Sequence, residues 1–148
     1  MNRKIRKFIL DLLRDHKIMS LATIRPDGYP QATTVAYAND GLTLYFACDR
    51  DSQKARNIKK CKKVSLTIDR DCEDLCKIKG LSMAAAAEVL KEPAAVRRAL
   101  KRLDSKFPEM GEMSEEDLAA TAVVKVMPKV ISVIDYRKGF GHTDLVKA

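Results

Sequence analysis

Residues 48–57 combine side chains that could hold an anion. An apolar, strand-like segment (42–48) runs into a polar turn, and Ser52 is a typical N-cap residue for the helix predicted to follow. Lys54 and Arg56 would lie in the first turns of that helix. Free backbone amides, the positive end of the helix dipole, a hydroxyl and an ammonium would then converge, which suits a phosphate. The same pattern is typical of a helix that contacts only solvent, so these residues alone leave both interpretations open.

The charge of the chain is concentrated around this helix. The formal net charge is +8, from 28 basic and 20 acidic residues, and segment 50–63 holds seven basic residues and a single acid, Asp51. Such a patch raises the local concentration of anions. Nucleic acid, an acidic small molecule or solvent could each explain it. Since no recognised nucleic-acid-binding motif accompanies the charge, we do not expect nucleic acid as a partner.

The four cysteines predict no metal site. Cys72 and Cys76 have a spacing that a metal tolerates, but no second pair of Cys or His residues lies near them in the sequence. We therefore expect ordinary reduced thiols. Cys48 differs, because it adjoins the anion-binding turn, where a helix N-terminus would lower the pKa of its thiol.

The N-terminal segment predicts a structural helix and a cytoplasmic protein. Segment 1–17 is basic and then apolar, but Asp11, Arg14 and Asp15 interrupt it before a signal-peptide core could form. No apolar run in the chain approaches the ~20 residues that span a bilayer. Residues 3–15 carry apolar side chains at helical spacing, which predicts an amphipathic helix packed on a core.

Strand and hairpin signals dominate the first half of the chain. Apolar or alternating segments at 18–24, 29–38 and 42–48 are separated by Pro-Asp-Gly and Asn-Asp-Gly turn sequences. They predict a three-stranded antiparallel meander over residues 18–48. After the Ser52 helix, which should end near Cys61, residues 64–68 predict a fourth strand.

The second half predicts two long strands and two helices. Segment 77–90 has an alanine tract with helix propensity, yet Gly80 and the charged turn before it favour a long strand against which another backbone packs closely. Pro93 and Ser114 suit the first turns of two helices, the first ending before Pro108. A last strand covers 122–135 with a bulge or edge position at Pro128, and the glycine-rich tail, 136–148, is predicted to be irregular. Hairpins closed by a late return strand favour a small barrel.

The order of these elements resembles the FMN-binding split-barrel family, which is related to pyridoxamine 5′-phosphate oxidase. The resemblance covers roughly residues 3–142 and rests on an ordered set of short segments. They are Met-Ser-Leu-Ala-Thr at 19–23, Pro-Gln-Ala-Thr-Thr-Val-Ala-Tyr at 30–37, Leu-Tyr-Phe at 44–46, Ser-Gln-Lys-Ala at 52–55, Val-Ser-Leu-Thr-Ile at 64–68, Gly80, and Val-Ile-Asp-Tyr at 133–136.

The resemblance implies a mainly β, six-stranded antiparallel split β-barrel of Greek-key type with flanking α-helices, formed by residues 1–148 as a single domain. It further implies a homodimer that binds two FMN molecules in clefts between the subunits. The flavin ring would lie along the second strand and the end of the third, and the phosphate would meet the Ser52 turn. The partner subunit would contribute from the fifth strand and the tail. The implied cofactor-binding residues are Thr33, Thr34, Val35, Phe46, Ala47, Cys48, Ser52, Gln53, Lys54, Met83 and Phe140.

Two departures from the family pattern bear on activity. Arginines that contact the phosphate in the oxidase correspond to Thr33 and Gln53 in this chain, which should weaken FMN retention, although Lys54 and Arg56 can compensate. The oxidase's C-terminal substrate-binding extension, with its arginine and histidine, has no counterpart, and His142 in the tail does not restore it. We therefore do not expect oxidation of pyridoxamine phosphate itself.

The resemblance leaves several functions open. The main hypothesis is a flavin-dependent oxidoreductase with an unknown small-molecule substrate and a nicotinamide electron donor. A non-enzymatic flavin carrier or redox sensor, or a relative that binds deazaflavin or haem, are the alternatives. No catalytic residue is identified, because Tyr37, Tyr45 and His142 lack the partner spacing that acid–base chemistry needs.

Overall fold

One antiparallel sheet forms most of the molecule, and the computed structural model describes residues 1–148. The helices are α1 (Arg3–Asp15), α2 (Gln53–Lys60), α3 (Pro93–Lys106) and α4 (Glu115–Ala120). The strands are β1 (Ile18–Ile24), β2 (Pro30–Ala36), β3 (Ala38–Asp40), β4 (Thr43–Asp49), β5 (Lys63–Ile68), β6 (Lys79–Val89), β7 (Thr121–Asp135) and β8 (Thr143–Lys147). None of the helices has the length and hydrophobicity that crossing a membrane requires.

The sheet is curled, because its two edges are joined by the chain. Its strands follow the order β2-β1-β5-β6-β7-β4-β3, and β8 pairs with β7. The edge strands β2 and β3 are separated only by Tyr37, so the sheet must bend until its edges approach. The mainly β split-barrel fold with flanking helices is confirmed. The number of strands is eight instead of six, since the short strands β3 and β8 add to the six predicted ones.

The predicted meander over residues 18–48 is confirmed in its two hairpins and wrong in its continuity. β1 pairs with β2, and β3 pairs with β4 across the Asn-Asp-Gly turn, but β2 ends before β3 and most of β4 pairs with the distant β7. The chain leaves the β2 ladder at Tyr37, whose amide donates to the carbonyl of Lys17 at 3.1 Å. Its phenol donates to the carbonyl of Leu13 at 2.9 Å. These two bonds hold the connection against α1, so β4 joins the other half of the sheet.

The tail is ordered, which corrects the prediction of an irregular segment at 136–148. Residues 143–147 form β8 on the open edge of β7. The amide of Asp135 donates to the carbonyl of His142 at 3.2 Å, which closes the connecting turn. The Arg137 guanidinium donates to both carboxylate oxygens of Asp135 and holds the pKa of that carboxyl below its usual range. This pair fixes the point at which the chain turns back.

The predicted irregularity at Pro128 is confirmed. On the β6 side the register skips Lys129, so that Ala84 opposes Val130 and Ala85 opposes Pro128. On the other side the β4 ladder ends before Pro128 and the β8 ladder begins after it. A residue without an amide hydrogen therefore lies where the strand changes partners and needs no donor.

The core lies inside the curled sheet and is closed by α1. Twenty-one buried residues form one cluster, to which α1 contributes Ile9, Leu12 and Leu13. α3 packs on the outer side of the sheet through a smaller cluster that contains Leu103 and Phe107. The two helices meet at their C-terminal ends, where Nζ of Lys106 donates to the carbonyl of Leu13 at 3.1 Å. α2 follows the end of β4.

Replacing Gly80 with alanine is expected to lower the free energy of unfolding by about 1–3 kcal/mol, because the fold leaves no room for a methyl group there. A Cβ on Gly80 would lie 2.8 Å from the carbonyl oxygen of Ile68, at the end of the neighbouring strand β5, and 3.2 Å from Cβ of Asp69, which follows it. Urea denaturation followed by circular dichroism would measure the effect. Ser82→Ala on the same strand is the control, and equal stabilities for the two variants would contradict the close approach.

Candidate functional site

The turn before α2 is built as predicted. Ser52 is the N-cap of α2, and its Oγ accepts from the amide of Ala55 at 3.3 Å. The amide of Ser52 donates to the carbonyl of Asp49 at 3.1 Å, which fixes the turn behind it. The first amides of a helix have no intrahelical acceptor, so those of Gln53 and Lys54 remain directed away from the helix body. This end of α2 therefore presents donors to a ligand.

Cys48 and Ser52 are brought together, but the thiol is not activated. The Ser52 hydroxyl lies 3.6 Å from Sγ of Cys48. Burial raises the pKa of the Cys48 thiol, and this outweighs the lowering by Ser52 and Lys54. The possible lowering of this pKa by the helix N-terminus is therefore not found: the side chain is half-buried at the end of β4, where it packs against the core and remains a neutral thiol.

A buried polar network connects α2 to the first two strands. Asn57 is fully buried, and its Nδ2 donates to Oγ1 of Thr23 at 3.0 Å and to Oε1 of Gln31 at 3.3 Å. Its Oδ1 accepts from Nε2 of Gln53 at 2.7 Å. Gln53 also accepts from Arg56 through Oε1, at 3.0 Å. The network fixes the Gln53 side chain at the helix N-terminus and links it to β1 and β2.

β2 presents its two threonines to opposite faces of the sheet. Gln31, Thr33 and Val35 alternate toward the interior, whereas Ala32 and Thr34 are exposed. Oγ1 of Thr33 is buried and has no hydrogen-bond partner. Such an atom costs about 1–3 kcal/mol unless something else pairs with it. It lies one inward position along β2 from Gln31, on the same face as the core residue Val35, so it points into the barrel and not toward the surface.

The seven basic residues around α2 are free of carboxylate partners. None of the ion pairs in the molecule involves them. They are Arg50, Lys54, Arg56, Lys59, Lys60, Lys62 and Lys63. Their charges are therefore available to an anion, and Lys54, which is half-buried at the second position of α2, is the one nearest the free amides.

Several residues implied by the resemblance do not present their side chains to this site. Phe46 and Met83 are core residues with 0% and 2% exposure, and Val35 is also buried. Met83 alternates inward with Leu81 and so fills its own barrel, which corrects its assignment as a side chain that reaches a cofactor in the partner subunit. Phe140 is 77% exposed and contacts the ring of Tyr136 at 5.1 Å between centroids.

The three residues considered for acid–base chemistry lie away from the Ser52 turn. Tyr37 is fully buried, donates to the carbonyl of Leu13, and its burial raises its pKa. Nε2 of His142 lies 3.1 Å from Oδ2 of Asp144 within the tail. Tyr45 faces α3 near Arg102 at the margin of the sheet. None of them reaches the Ser52 turn.

Sequence reasoning missed the residue that organises the site. This residue is Asn57, which lies four residues after Gln53 and is a polar residue between the apolar positions Ala55 and Ile58 of α2. A polar side chain on the buried face of a short helix is the signal that could have found it. Its partners Thr23 and Gln31 are 34 and 26 residues away, so no local pattern identifies them.

Comparison with known proteins identifies the family. The sequence profile described as pyridoxamine 5′-phosphate oxidase matches residues 5–135 of this chain. The chain belongs to the pyridoxamine 5′-phosphate oxidase family. The matched range includes the Ser52 turn, the Asn57 network and both threonines of β2. These features are therefore part of the family domain.

Individual proteins are similar to this family member at low to moderate identity. General stress protein 26 of Bacillus subtilis is 35% identical over 69 residues, and the alignment spans 47% of this chain and 49% of that protein. The chain thus matches only about half the length of that curated relative. The conserved hypothetical protein Rv2991 of Mycobacterium tuberculosis is 26% identical with a TM-score of 0.77, covering 100% of this chain and 94% of that one.

The structure of HutZ, the heme storage protein of Vibrio cholerae, is also similar. It is 16% identical with a TM-score of 0.69 and covers 83% of this chain and 89% of that one. At this identity the comparison shows a shared fold only. The same fold therefore occurs in a protein that is named for heme and not for a flavin.

Proposed function

We propose that this member of the family binds FMN and uses it as a flavin-dependent oxidoreductase. The observation that carries the proposal is the N-terminus of α2, where free amides lie beside Lys54, a half-buried lysine that takes part in no ion pair. A phosphate suits these donors, and the backbone of β2, a terminal strand of the sheet, suits a polar ring edge. The family match supports the flavin as the molecule that carries both groups.

Each part of the site has a role toward the cofactor. Ser52, Gln53 and Lys54 would hold the phosphate through amides and a charge-assisted bond, with the charge of Arg56 close by. The backbone of β2 at Thr33 and Thr34, together with Ala47 and Cys48 at the end of β4, would line the organic part. The bound flavin supplies hydride transfer, while the chain binds it and orients it.

We further propose that the functional unit is a homodimer with the cofactor at the subunit interface and a nicotinamide as electron donor. In such a dimer the exposed ring of Phe140, which contacts Tyr136 in the tail, would be a contact for the partner subunit. Light scattering of the purified protein tests the assembly. A monomer at micromolar concentration would remove the dimer from the proposal.

The visible spectrum of the purified protein tests the cofactor. We expect the two absorption bands of an oxidised flavin, which bleach when NADH or NADPH is added. A bound flavin that no nicotinamide reduces would favour a carrier or redox sensor. A Soret band would favour haem, and the spectrum of a deazaflavin would favour that cofactor; either result would overturn FMN.

A further inference from the structure

A second cleft lies on the outer side of the sheet. It has a volume of about 500 Å³ and separates α3 and α4 from the ends of β2 and β4. Leu103 and Phe107 form its floor, and Met110 and Met113 line its mouth. Met110 is 78% exposed, so this apolar surface is only partly covered by the chain itself. Aromatic and thioether groups of this kind adapt to flat apolar ligands.

The charged residues around this cleft are all acidic. They are Asp49, Asp104, Glu112 and Asp117, and the lining contains no Lys, Arg or His. None of the four takes part in an ion pair. All four side chains are exposed, so their charges lie at the rim of the apolar cleft, where they set the sign of the local potential.

The negative charge of this cleft contrasts with the positive charge of the rest of the molecule. The chain as a whole carries +8, and the other large cleft, about 930 Å³ between α2 and α3, has five basic and two acidic lining residues. An acidic apolar cleft on a basic protein attracts cations and repels the anions that the rest of the surface attracts.

We propose that this cleft binds a small organic cation with a flat apolar body, such as an aromatic amine or quaternary ammonium ion. The ring of Phe107 and the thioethers of Met110 and Met113 would cover the apolar body, and the carboxylates would surround its charge. A phosphorylated or otherwise anionic ligand is excluded by the same carboxylates.

This inference rests on the proposed function in one respect, because it assigns the substrate class of the flavin site. Ala47, one of the residues expected to line the flavin, also lines the cleft, and Ala36 follows Val35 at the end of β2. A cation bound in the cleft would therefore lie beside the flavin. The binding of the cation itself does not depend on the flavin.

Methionine-methyl NMR locates the binding directly. The chain has six methionines, of which Met110 and Met113 line the cleft. Protein labelled with ¹³C at these methyl groups is titrated with benzyltrimethylammonium and, at equal ionic strength, with benzylsulfonate. We expect the cation to shift the Met110 and Met113 signals and to bind about tenfold more tightly than the anion. Equal binding of the two ions, or shifts confined to other methionines, would overturn the inference.

A matched pair of variants tests the carboxylates. Asp104 and Glu112 form no side-chain hydrogen bonds, so Asp104→Asn with Glu112→Gln removes two charges without removing a contact. We expect the affinity for the cation to fall about fivefold. Glu73→Gln with Glu109→Gln, two exposed acids outside the cleft, should change it less than twofold, about the limit for exposed charges. An equal loss of affinity in both double variants would show that only the net charge of the protein matters. That result would contradict a specific site.

The two proposals fail separately, since the titration is run with and without added FMN. If the cation binds to a protein that retains no flavin, the proposal for the cleft stands and the flavin function is refuted. If the protein has a flavin spectrum but does not bind the cation, the flavin function stands and the proposal for the cleft is refuted.

Discussion

Replacing Asn57 with alanine is expected to lower the free energy of unfolding by about 3 kcal/mol. The side chain is fully buried and joins three partners: Thr23 on β1, Gln31 on β2 and Gln53 in α2. Truncation leaves the buried hydroxyl of Thr23 without its donor and opens a cavity at a fully buried position, while Gln31 and Gln53 are half-buried and each lose one bond. An unsatisfied buried group costs more than a formed hydrogen bond contributes. Urea denaturation of the cofactor-free protein measures the change.

The control for this prediction is Asn39→Ala. Asn39 is half-buried, and its Nδ2 makes a single local bond to the carbonyl of Gly41 at 2.9 Å. We expect its loss to cost less than about 1 kcal/mol, which is typical for one hydrogen bond near the surface. If the two variants lost equal stability, the Asn57 network would not be what attaches α2 to the barrel.

Features that depend on neighbouring residues could be predicted from the sequence. The N-cap at Ser52, the long strand through the alanine tract and the irregularity at Pro128 all follow from local chemistry. The two amides left free at the start of α2 follow in the same way. The part of the candidate site that is proposed to hold a phosphate therefore needed no knowledge of the fold.

Features that depend on distant pairing could not be predicted. The alternation in 42–48 is equally compatible with pairing to β2 or to β7, and only the position of Tyr37 against α1 decides between them. Residues 143–147 become a strand because β7 offers them an open edge, which no local signal reveals. The resemblance supplied the overall barrel, but it did not specify these pairings.

The same distinction applies within the site. The direction of β2 side chains decides that Thr33 faces inward with an unpaired hydroxyl and Thr34 faces outward, and this follows only once the sheet is known. Burial of Met83 is of the same kind, since the strand alternates and either face could have been the outer one. The sequence therefore predicts which strands form the candidate site better than it predicts which side chains face that site.

Replacing Lys54 with alanine is expected to weaken the binding of FMN by about tenfold or more, because a charge-assisted bond to phosphate contributes ~1.5–3 kcal/mol. Lys54 is half-buried at the N-terminus of α2 and has no carboxylate partner, so its ammonium is free to pair with an anion. Quenching of flavin fluorescence in a titration measures the affinity. Stability should change little, since Lys54 makes no hydrogen bond that its truncation would break.

Lys62→Ala is the matched control for Lys54→Ala. Lys62 is an exposed member of the same basic segment, lies beyond the C-terminal end of α2, and lines the basic cleft between α2 and α3. If FMN is attracted by the patch as a whole, both variants will lose affinity equally; if it is held at the helix N-terminus, only Lys54→Ala will. An unchanged affinity in Lys54→Ala would remove this lysine from the site. A loss of DNA binding in both variants would assign the patch to nucleic acid instead.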